Sequence, residues 1–394
     1  MVVAHINGKM LTWGRTRARL TMSAVAKGKI TVEKLIAWES GDDLPTESQA
    51  QALAEKLGIS YAMLFMPEVP PPDTPNIPDL RTKNGQPLTN PSLDFRAIYN
   101  DALVRQDWMR DQRLDEGRAP LQFIGQYSLD SDPKKVAQGM RLVLDLGASA
   151  RVDCPDFEEF LRHLVRTAEH AGILVMRSAI VRHDTRRKLN ENEFRGFALT
   201  DTYAPLVFIN DSDAKAAQIF TLAHELAHLW IGANGVSDRR PDQHGDSQNE
   251  IELFCDKVAA ELLAPESEFR AKWQRGDPLK TARTAANFFK VSTLVALRRA
   301  KDLHLITFDA FVDSVRSEYA RFREIERRKR DKPKEKEKSG GNFWASFEIR
   351  NGASLNAAVV RALNTRKTTF TEASVLLGLN LGSTLRYLQR VTTK

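Results

Sequence analysis

Residues 220–230 of the chain read FTLAHELAHLW, and this stretch gives the clearest indication of the fold and of its site. It predicts an amphipathic helix with His224 and His228 on one face, because residues four apart on a helix are neighbours. Two neutral imidazoles at this spacing bind Zn²⁺, and Glu225 beside them suits the general-base role, accepting a proton from the attacking water. The pattern therefore predicts a metalloprotease zinc site that still needs a third protein ligand.

The candidate for that ligand lies in residues 249–265. This segment has apolar residues at helical spacing, has no Pro or Gly in its interior, and stops at Pro265. Glu252 and Asp256 share one face of the predicted helix. We expect Glu252 to be the third zinc ligand and Asp256 to accept the free N–H of a zinc-bound histidine. The alternative is a pair of ordinary core helices with satisfied polar groups.

These two segments resemble the ImmA/IrrE family of zinc metallo-endopeptidases. The family pattern has Glu, then Ala-Asn or Ala-Asp, an aromatic residue, Ala-Ala and Leu-Leu-Met-Pro at positions that correspond to 252–265 here. Glu252 matches the ligand glutamate. The departures from the commonest residues, none at a ligand position, are Cys255, Val258 and Ala264. The resemblance covers residues 157–310 well and implies a zincin-like domain with Zn²⁺ as cofactor.

The catalytic domain is predicted over residues 157–320 as an α+β fold, mainly helical with a small sheet. A helix over 157–171 precedes a short buried strand, and residues 196–200 and 206–210 predict a hairpin. An exposed edge of this sheet would suit an extended peptide. Tyr203 and His244 are candidates for stabilising the oxyanion, although spacing fixes neither and each could be a solvated loop residue.

Residues 6–66 predict a small all-α domain that resembles the XRE-type helix-turn-helix, notably in AWESG at 37–41 followed by LPT. The resemblance implies that the helix starting at Thr31 enters the major groove of DNA. Candidate phosphate contacts are Lys27, Lys29 and Lys34. Eight Lys and Arg against six Asp and Glu give a weak electrostatic footprint, so a protein-binding module is the alternative.

The remaining segments connect or support these domains. Residues 67–92 form a predicted Pro-rich, semi-rigid linker, and residues 93–156 a helical bracing region. Residues 321–341 form a predicted charged linker, whose basic centre could also contact nucleic acid. Residues 342–394 predict a helical C-terminal module, with helix caps at Thr371 and Ser383. This module is either a second helix-turn-helix or a helical tail packed on the protease.

Composition sets the broad class of protein. With 394 residues, 42% of them hydrophobic, the chain is long enough for two or three domains. It has no apolar run of 18 residues and no signal-peptide pattern, so we expect a cytoplasmic protein without a membrane partner. Cys154 and Cys255 suit a reducing compartment and are predicted to be packing residues. The net charge of +7 permits nucleic-acid contact without establishing it.

Together these patterns predict a zinc-dependent endopeptidase with a helix-turn-helix domain. The family resemblance implies a protein substrate, either a helix-turn-helix transcriptional repressor or an antitoxin. The main alternative is a DNA-binding regulator or antitoxin whose zincin domain is structural, and a third possibility is an interaction scaffold. Glu225 favours the enzyme, because neither alternative needs a general base.

Overall fold

The computed structural model describes residues 2–26, 30–70, 91–147, 150–233, 235–237, 250–331 and 342–392. The chain divides into two units, each held by its own internal contacts. Unit 1 comprises residues 1–77 and 88–99, and unit 2 comprises residues 78–87 and 100–394. We describe each unit by itself.

Unit 1 is entirely helical apart from one isolated bridge among its described residues. Its elements are α1 (Gly8–Arg17), α2 (Met22–Val25), α3 (Val32–Ser40), α4 (Glu47–Leu57), a 3₁₀ turn (Tyr61–Phe65) and the first residues of α5 (Leu93–Asp115). Thr31 caps α3 by accepting the N–H of Lys34, as predicted, and Thr46 with Gln49 forms a capping box on α4. Leu11, Leu35 and Trp38 belong to the core that these helices enclose.

An ion pair fixes α1 against α3. Arg15 Nε lies 2.6 Å from Glu39 Oε1, and Arg15 Nη2 lies 2.9 Å from Glu39 Oε2. Both side chains are largely buried, and the hydrogen bonds to Glu39 raise the pKa of Arg15. A bidentate pair of this kind fixes the orientation of α3 as well as its position. The helix-turn-helix identity of unit 1 stays a prediction.

Unit 2 contains a mixed sheet surrounded by helices. After α5 its elements are α6 (Pro133–Val143), α7 (Phe157–His170), β1 (Leu174–Ser178), β2 (Ile180–Val181), β3 (Asp184–Lys188), β4 (Gly196–Leu199), β5 (Leu206–Asn210), α8 (Lys215–Trp230), β6 (Gly235–Ser237), α9 (Glu250–Leu263), α10 (Glu266–Lys272), α11 (Pro278–Phe289), α12 (Thr293–Asp302), α13 (Phe308–Asp331), α14 (Phe343–Asn351), α15 (Ala353–Asn364), α16 (Phe370–Leu377) and α17 (Leu381–Thr392).

The strands that position the site follow the order β1-β5-β4-β6. β1 pairs with β5 in parallel, whereas β4 pairs antiparallel with both β5 and β6. The predicted hairpin is therefore confirmed, with Phe197 opposite Phe208. Every residue of β1, β4 and β5 is buried, because helices cover the sheet. The predicted fold class, mainly α with a small β-sheet, is confirmed.

Helix α8 is buried on all sides along most of its length. It packs on β4 and β5 and also contacts α6, α7 and α9, and every residue from Thr221 to Trp230 is buried. The prediction of an amphipathic helix was therefore wrong: a helix enclosed by a sheet and by other helices has no solvent face. The polar side chains of α8 must therefore interact with other protein groups instead of with solvent.

A segment without regular structure, residues 121–127, closes the C-terminal end of α8. The backbone N–H of Gly125 donates to Leu229 O at 3.0 Å, and that of Tyr127 donates to Trp230 O at 3.1 Å. Phe123 stacks on Trp230 with ring centroids 4.4 Å apart. These bonds satisfy carbonyls that a helix end otherwise leaves unpaired. We call residues 121–127 the strap.

The C-terminal module belongs to unit 2 and packs on its sheet. Helix α14 lies on β1, the Ser354 N–H donates to Glu169 Oε1 at 2.9 Å, and Arg105 Nε donates to Leu376 O at 2.8 Å. The predicted caps were wrong, since Thr369 caps α16 and Asn380 accepts the N–H groups of Ser383 and Thr384.

The two predicted linkers fall partly on residues outside the described ranges. The charged linker at 321–341 begins inside α13, which continues to Asp331, and residues 332–341 are not described. Of the Pro-rich linker at 67–92, residues 71–90 are not described. In the described part of the chain, no helix has the length and apolar character needed to cross a bilayer.

Close packing of β4 against α8 depends on a glycine. A Cβ added to Gly196 would lie 2.7 Å from Thr221 Cγ2, 2.8 Å from Phe208 O and 3.2 Å from Glu225 Cγ. Two of these atoms belong to α8, and the third is backbone of the neighbouring strand. Gly196 therefore sets how closely the sheet approaches the helix that carries the HExxH residues.

Replacing this glycine should destabilise unit 2. We expect Gly196→Ala to lower the free energy of unfolding by about 1–3 kcal/mol, the usual range for an overpacked core. Gly382→Ala is the matched control, because its nearest neighbour would be 3.7 Å away and α17 favours Ala over Gly. Chemical denaturation followed by circular dichroism measures both changes. Equal stability of the Gly196→Ala variant and the wild type would contradict this account of the packing.

Candidate metal centre

Helices α8 and α9 bring three potential ligands together. His224 Nε2 and His228 Nε2 lie 3.1 Å apart. Glu252 Oε2 lies 3.2 Å from His224 Nε2, and Glu252 Oε1 lies 3.2 Å from His228 Nε2. Among the described residues, these three side chains form the group of His, Cys, Asp or Glu placed to share a metal ion. The predicted segment that carries the two histidines and the predicted segment that carries Glu252 therefore meet at one point.

The spacing of these atoms fits Zn²⁺. Tetrahedral zinc with bonds of about 2.0–2.1 Å holds its ligand atoms about 3.3 Å apart, close to the separations observed here. Two imidazole nitrogens and one carboxylate also match the donor set of catalytic zinc sites, which keep a fourth position open. A cation between these groups would remove the need for a proton between the facing nitrogens.

The electrostatics of the centre also favour a cation. Burial acts to lower the pKa of both histidines, yet the nearby carboxylates outweigh it. The pKa of His224 is raised well above 6.5 by Glu252 and Asp256. The pKa of His228 is raised to about 9 by the neighbouring Cys255 and Glu252. Burial acts to raise the pKa of Glu252, but the two histidines lower it below its usual range. The two histidine rings therefore face carboxylate charge, which a cation bound between them would also meet.

Asp256 lies one turn after Glu252 on α9, as the sequence predicted. Its Oδ1 is 3.1 Å from His224 Nδ1, so Nε2 of that ring is directed at the shared point. Arg298 from α12 approaches the other oxygen, with Nη1 3.6 Å from Asp256 Oδ2. Sequence reasoning missed Arg298, because its helix contributes to the centre only through tertiary packing and carries no fixed spacing to the motif.

Glu225 is fully buried and follows the candidate ligand His224 in the chain. The Cγ of its side chain faces β4, since it lies near the position that a Cβ on Gly196 would occupy. Burial of a carboxylate is costly unless nearby groups compensate for its charge. The general base predicted from the HExxH pattern is thus a buried side chain of α8 that packs against β4.

The other predicted site residues lie elsewhere or outside the described ranges. Tyr203 lines a separate cavity, whose lining includes none of the metal-centre residues. His244, Lys27 and Lys29 are outside the described residues, and Lys34 is exposed on α3 in unit 1. Both cysteines are free and buried, which agrees with the predicted packing role. Cys255 does not belong to the three-residue metal group.

The orienting role of Asp256 leads to a prediction for metal affinity. We expect Asp256→Ala to weaken zinc binding by about 10–100-fold, the usual effect of removing a group that orients a ligand histidine. Asp302→Ala is the control, because Asp302 also approaches Arg298 but does not contact a histidine in the described contacts. Competitive titration against a zinc chelator measures both affinities. Unchanged affinity in the Asp256→Ala variant would remove this role from Asp256.

Comparison with known proteins agrees with this geometry. No curated protein matches the chain. Residues 168–301 match the family model Peptidase_M78, described as the IrrE N-terminal-like domain. The matched range contains α8, α9 and all of α12 except Asp302, and so the whole candidate metal centre with Asp256 and Arg298. This part of the chain is therefore similar to the IrrE N-terminal-like domain, which supports a metallopeptidase of the ImmA/IrrE type.

Proposed function

We propose that the chain is a zinc-dependent endopeptidase that cleaves a regulatory protein in the cytoplasm. The observation that carries the proposal is the convergence of His224, His228 and Glu252 within 3.1–3.2 Å, together with Glu225, which follows His224 on α8 and is fully buried. The family match over residues 168–301 supports the same reaction class.

In this proposal His224, His228 and Glu252 hold the zinc ion. When bound, zinc lowers the pKa of water and polarises the carbonyl of the scissile peptide bond. Asp256 keeps the His224 ring in the tautomer that directs Nε2 at the metal. Glu225 accepts a proton from the attacking water and then delivers it to the nitrogen of the leaving amine. The burial of Glu225 keeps that proton away from bulk solvent.

Glu225 separates this proposal from a structural zinc domain. A structural site needs four closed ligands and no additional carboxylate next to them. Here the described protein ligands number three, and the neighbouring carboxylate is buried at a cost. That combination is what hydrolysis requires and what a purely structural role does not explain.

The role of Glu225 predicts a variant that separates metal binding from catalysis. We expect Glu225→Gln to retain zinc and stability but to lose about 10²–10⁴-fold in turnover, because the amide cannot accept the proton. The measurement compares protein N-termini in cells that express either form, followed by cleavage of the identified substrate in vitro. Glu250→Gln, at an exposed position at the start of α9, is the control. Wild-type cleavage by Glu225→Gln would assign the base elsewhere.

We further propose that unit 1 captures the protein substrate, a helix-turn-helix repressor or antitoxin. Two features of unit 1 support protein rather than DNA as the partner. Ile36 is 51% exposed in the middle of α3, and we expect a protein partner to cover it. The excess of cations in residues 6–66 is small, whereas phosphate contacts dominate affinity for DNA. Capture by a linked module raises the effective substrate concentration at the catalytic site.

Capture through α3 should affect substrate binding and not chemistry. We expect Ile36→Ser to raise KM for the cellular substrate by about tenfold, with kcat unchanged, since one buried apolar side chain contributes about 1.5–3 kcal/mol. Lys34→Ala, on the same helix, should leave both constants unchanged and serves as the control. Binding of genomic DNA fragments that weakens steeply with salt, and is lost in Lys34→Ala, would instead identify DNA as the partner.

A further inference from the structure

Unit 2 contains a second concave site that shares no residue with the metal centre. This cavity, of about 640 Å³, lies between the C-terminal part of α5, the turn that contains Tyr203, and α15 of the C-terminal module. Its volume falls within the range of small-molecule sites, about 300–1,000 Å³. The catalytic proposal does not use it, and the family match stops at residue 301, before α15.

Basic side chains outnumber acidic ones in the lining of this cavity. Arg113, Arg118, Arg361 and Lys367 line it, and Glu116 is the only carboxylate among its lining residues. Glu116 is shared between two of these cations, with Oε2 3.2 Å from Arg118 Nε and Oε1 3.5 Å from Arg361 Nη2. One carboxylate therefore balances only part of the positive charge that faces the cavity.

Arg113 is held in place more firmly than an ordinary surface arginine. Its Nη1 donates to Gly172 O at 2.8 Å and also to Tyr203 O, so the guanidinium is fixed between two backbone segments. Burial lowers the pKa of Arg113, and the charge of Arg118 acts in the same direction. Glu116 and Asp201 offset part of this effect, because their charges act to raise the pKa of Arg113. A cation that is fixed and partly desolvated is a preorganised partner for an anion.

The rest of the lining is suited to the uncharged part of a ligand. Leu121 and Met109 contribute apolar surface on one side, and Ala357 and Ala358 do so on α15. The small side chains of Ala357 and Ala358 leave room for a ring beside the cations. A site with apolar walls and a few polar groups fixes the orientation of an organic ligand.

We propose that this cavity binds a phosphorylated small molecule of about mononucleotide size. The phosphate lies against Arg113, Arg361 and Lys367, and the organic part lies against Ala357. Several converging cations favour the two charges of a phosphate over the single charge of a carboxylate. Because the lining includes Gly172 and Tyr203 as well as Ala357 and Arg361 of α15, the ligand contacts both the predicted catalytic domain and the C-terminal module.

Isothermal titration of the full-length protein tests the proposal with AMP, inorganic phosphate and adenosine. We expect AMP to bind with a Kd below about 1 mM. Phosphate alone should bind more weakly, and adenosine, which lacks the phosphate, should not bind detectably. Equal binding of AMP and phosphate would identify free phosphate as the ligand and still support an anion site.

Two variants locate the binding. Arg361→Glu with Lys367→Glu should weaken AMP binding at least about a hundredfold, about tenfold for each cation removed. Ala357→Phe fills the cavity without changing charge and should weaken AMP while leaving phosphate unaffected. Arg386→Glu, exposed on α17 outside the cavity, is the control for charge. Circular dichroism checks that each variant is folded.

The inference is overturned if the wild type binds neither AMP nor phosphate at millimolar concentration. It is also overturned if Arg386→Glu weakens binding as much as the cavity variants do, because the effect would then reflect overall charge. None of these measurements requires proteolysis, so a failed protease assay and a failed binding assay are separate results.

Discussion

The burial of α8 is the constraint on which the rest of unit 2 depends. This helix carries His224, Glu225 and His228 into a core where all three side chains are almost completely buried. Glu252 and Asp256 reach the two histidines from α9, and Arg298 reaches Asp256 from α12. The two histidines, Glu252, Asp256 and Arg298 thus form one network of polar contacts. A zinc ion would complete this network at its centre.

The helices around α8 enclose this network and also stabilise the fold. Their apolar side chains form one continuous core that includes residues of α6, α7, α9, α11 and α12. A low-dielectric surrounding strengthens the attraction between the histidines and the carboxylates. Within this core, the approach of β4 to α8 is set by position 196, where glycine has no side chain.

The sequence predicted those parts of the centre that local spacing determines. His224 and His228 are four residues apart on one helix, and so are Glu252 and Asp256 on another, so each pair could be placed before the fold was known. Arg298 and Gly196 could not be found in this way, since only packing between elements brings them to the site. The amphipathic interpretation of α8 failed for the same reason, because a short motif does not reveal how many neighbours surround it. The caps of α16 and α17 were misplaced by two or three residues, since several Thr, Ser and Asn residues near each start compete for that role.

The strap limits how the chain between α5 and α6 can vary. Most connections without regular structure tolerate changes in length, because their backbone groups bond to water. Here Gly125 and Tyr127 supply the donors that end α8, and Gly125 packs on Gly232 where both have positive φ. An insertion inside 121–127 would shift both donors out of register with Leu229 and Trp230, just after the ligand His228. In related chains, differences in length are therefore expected on either side of the strap and not within it.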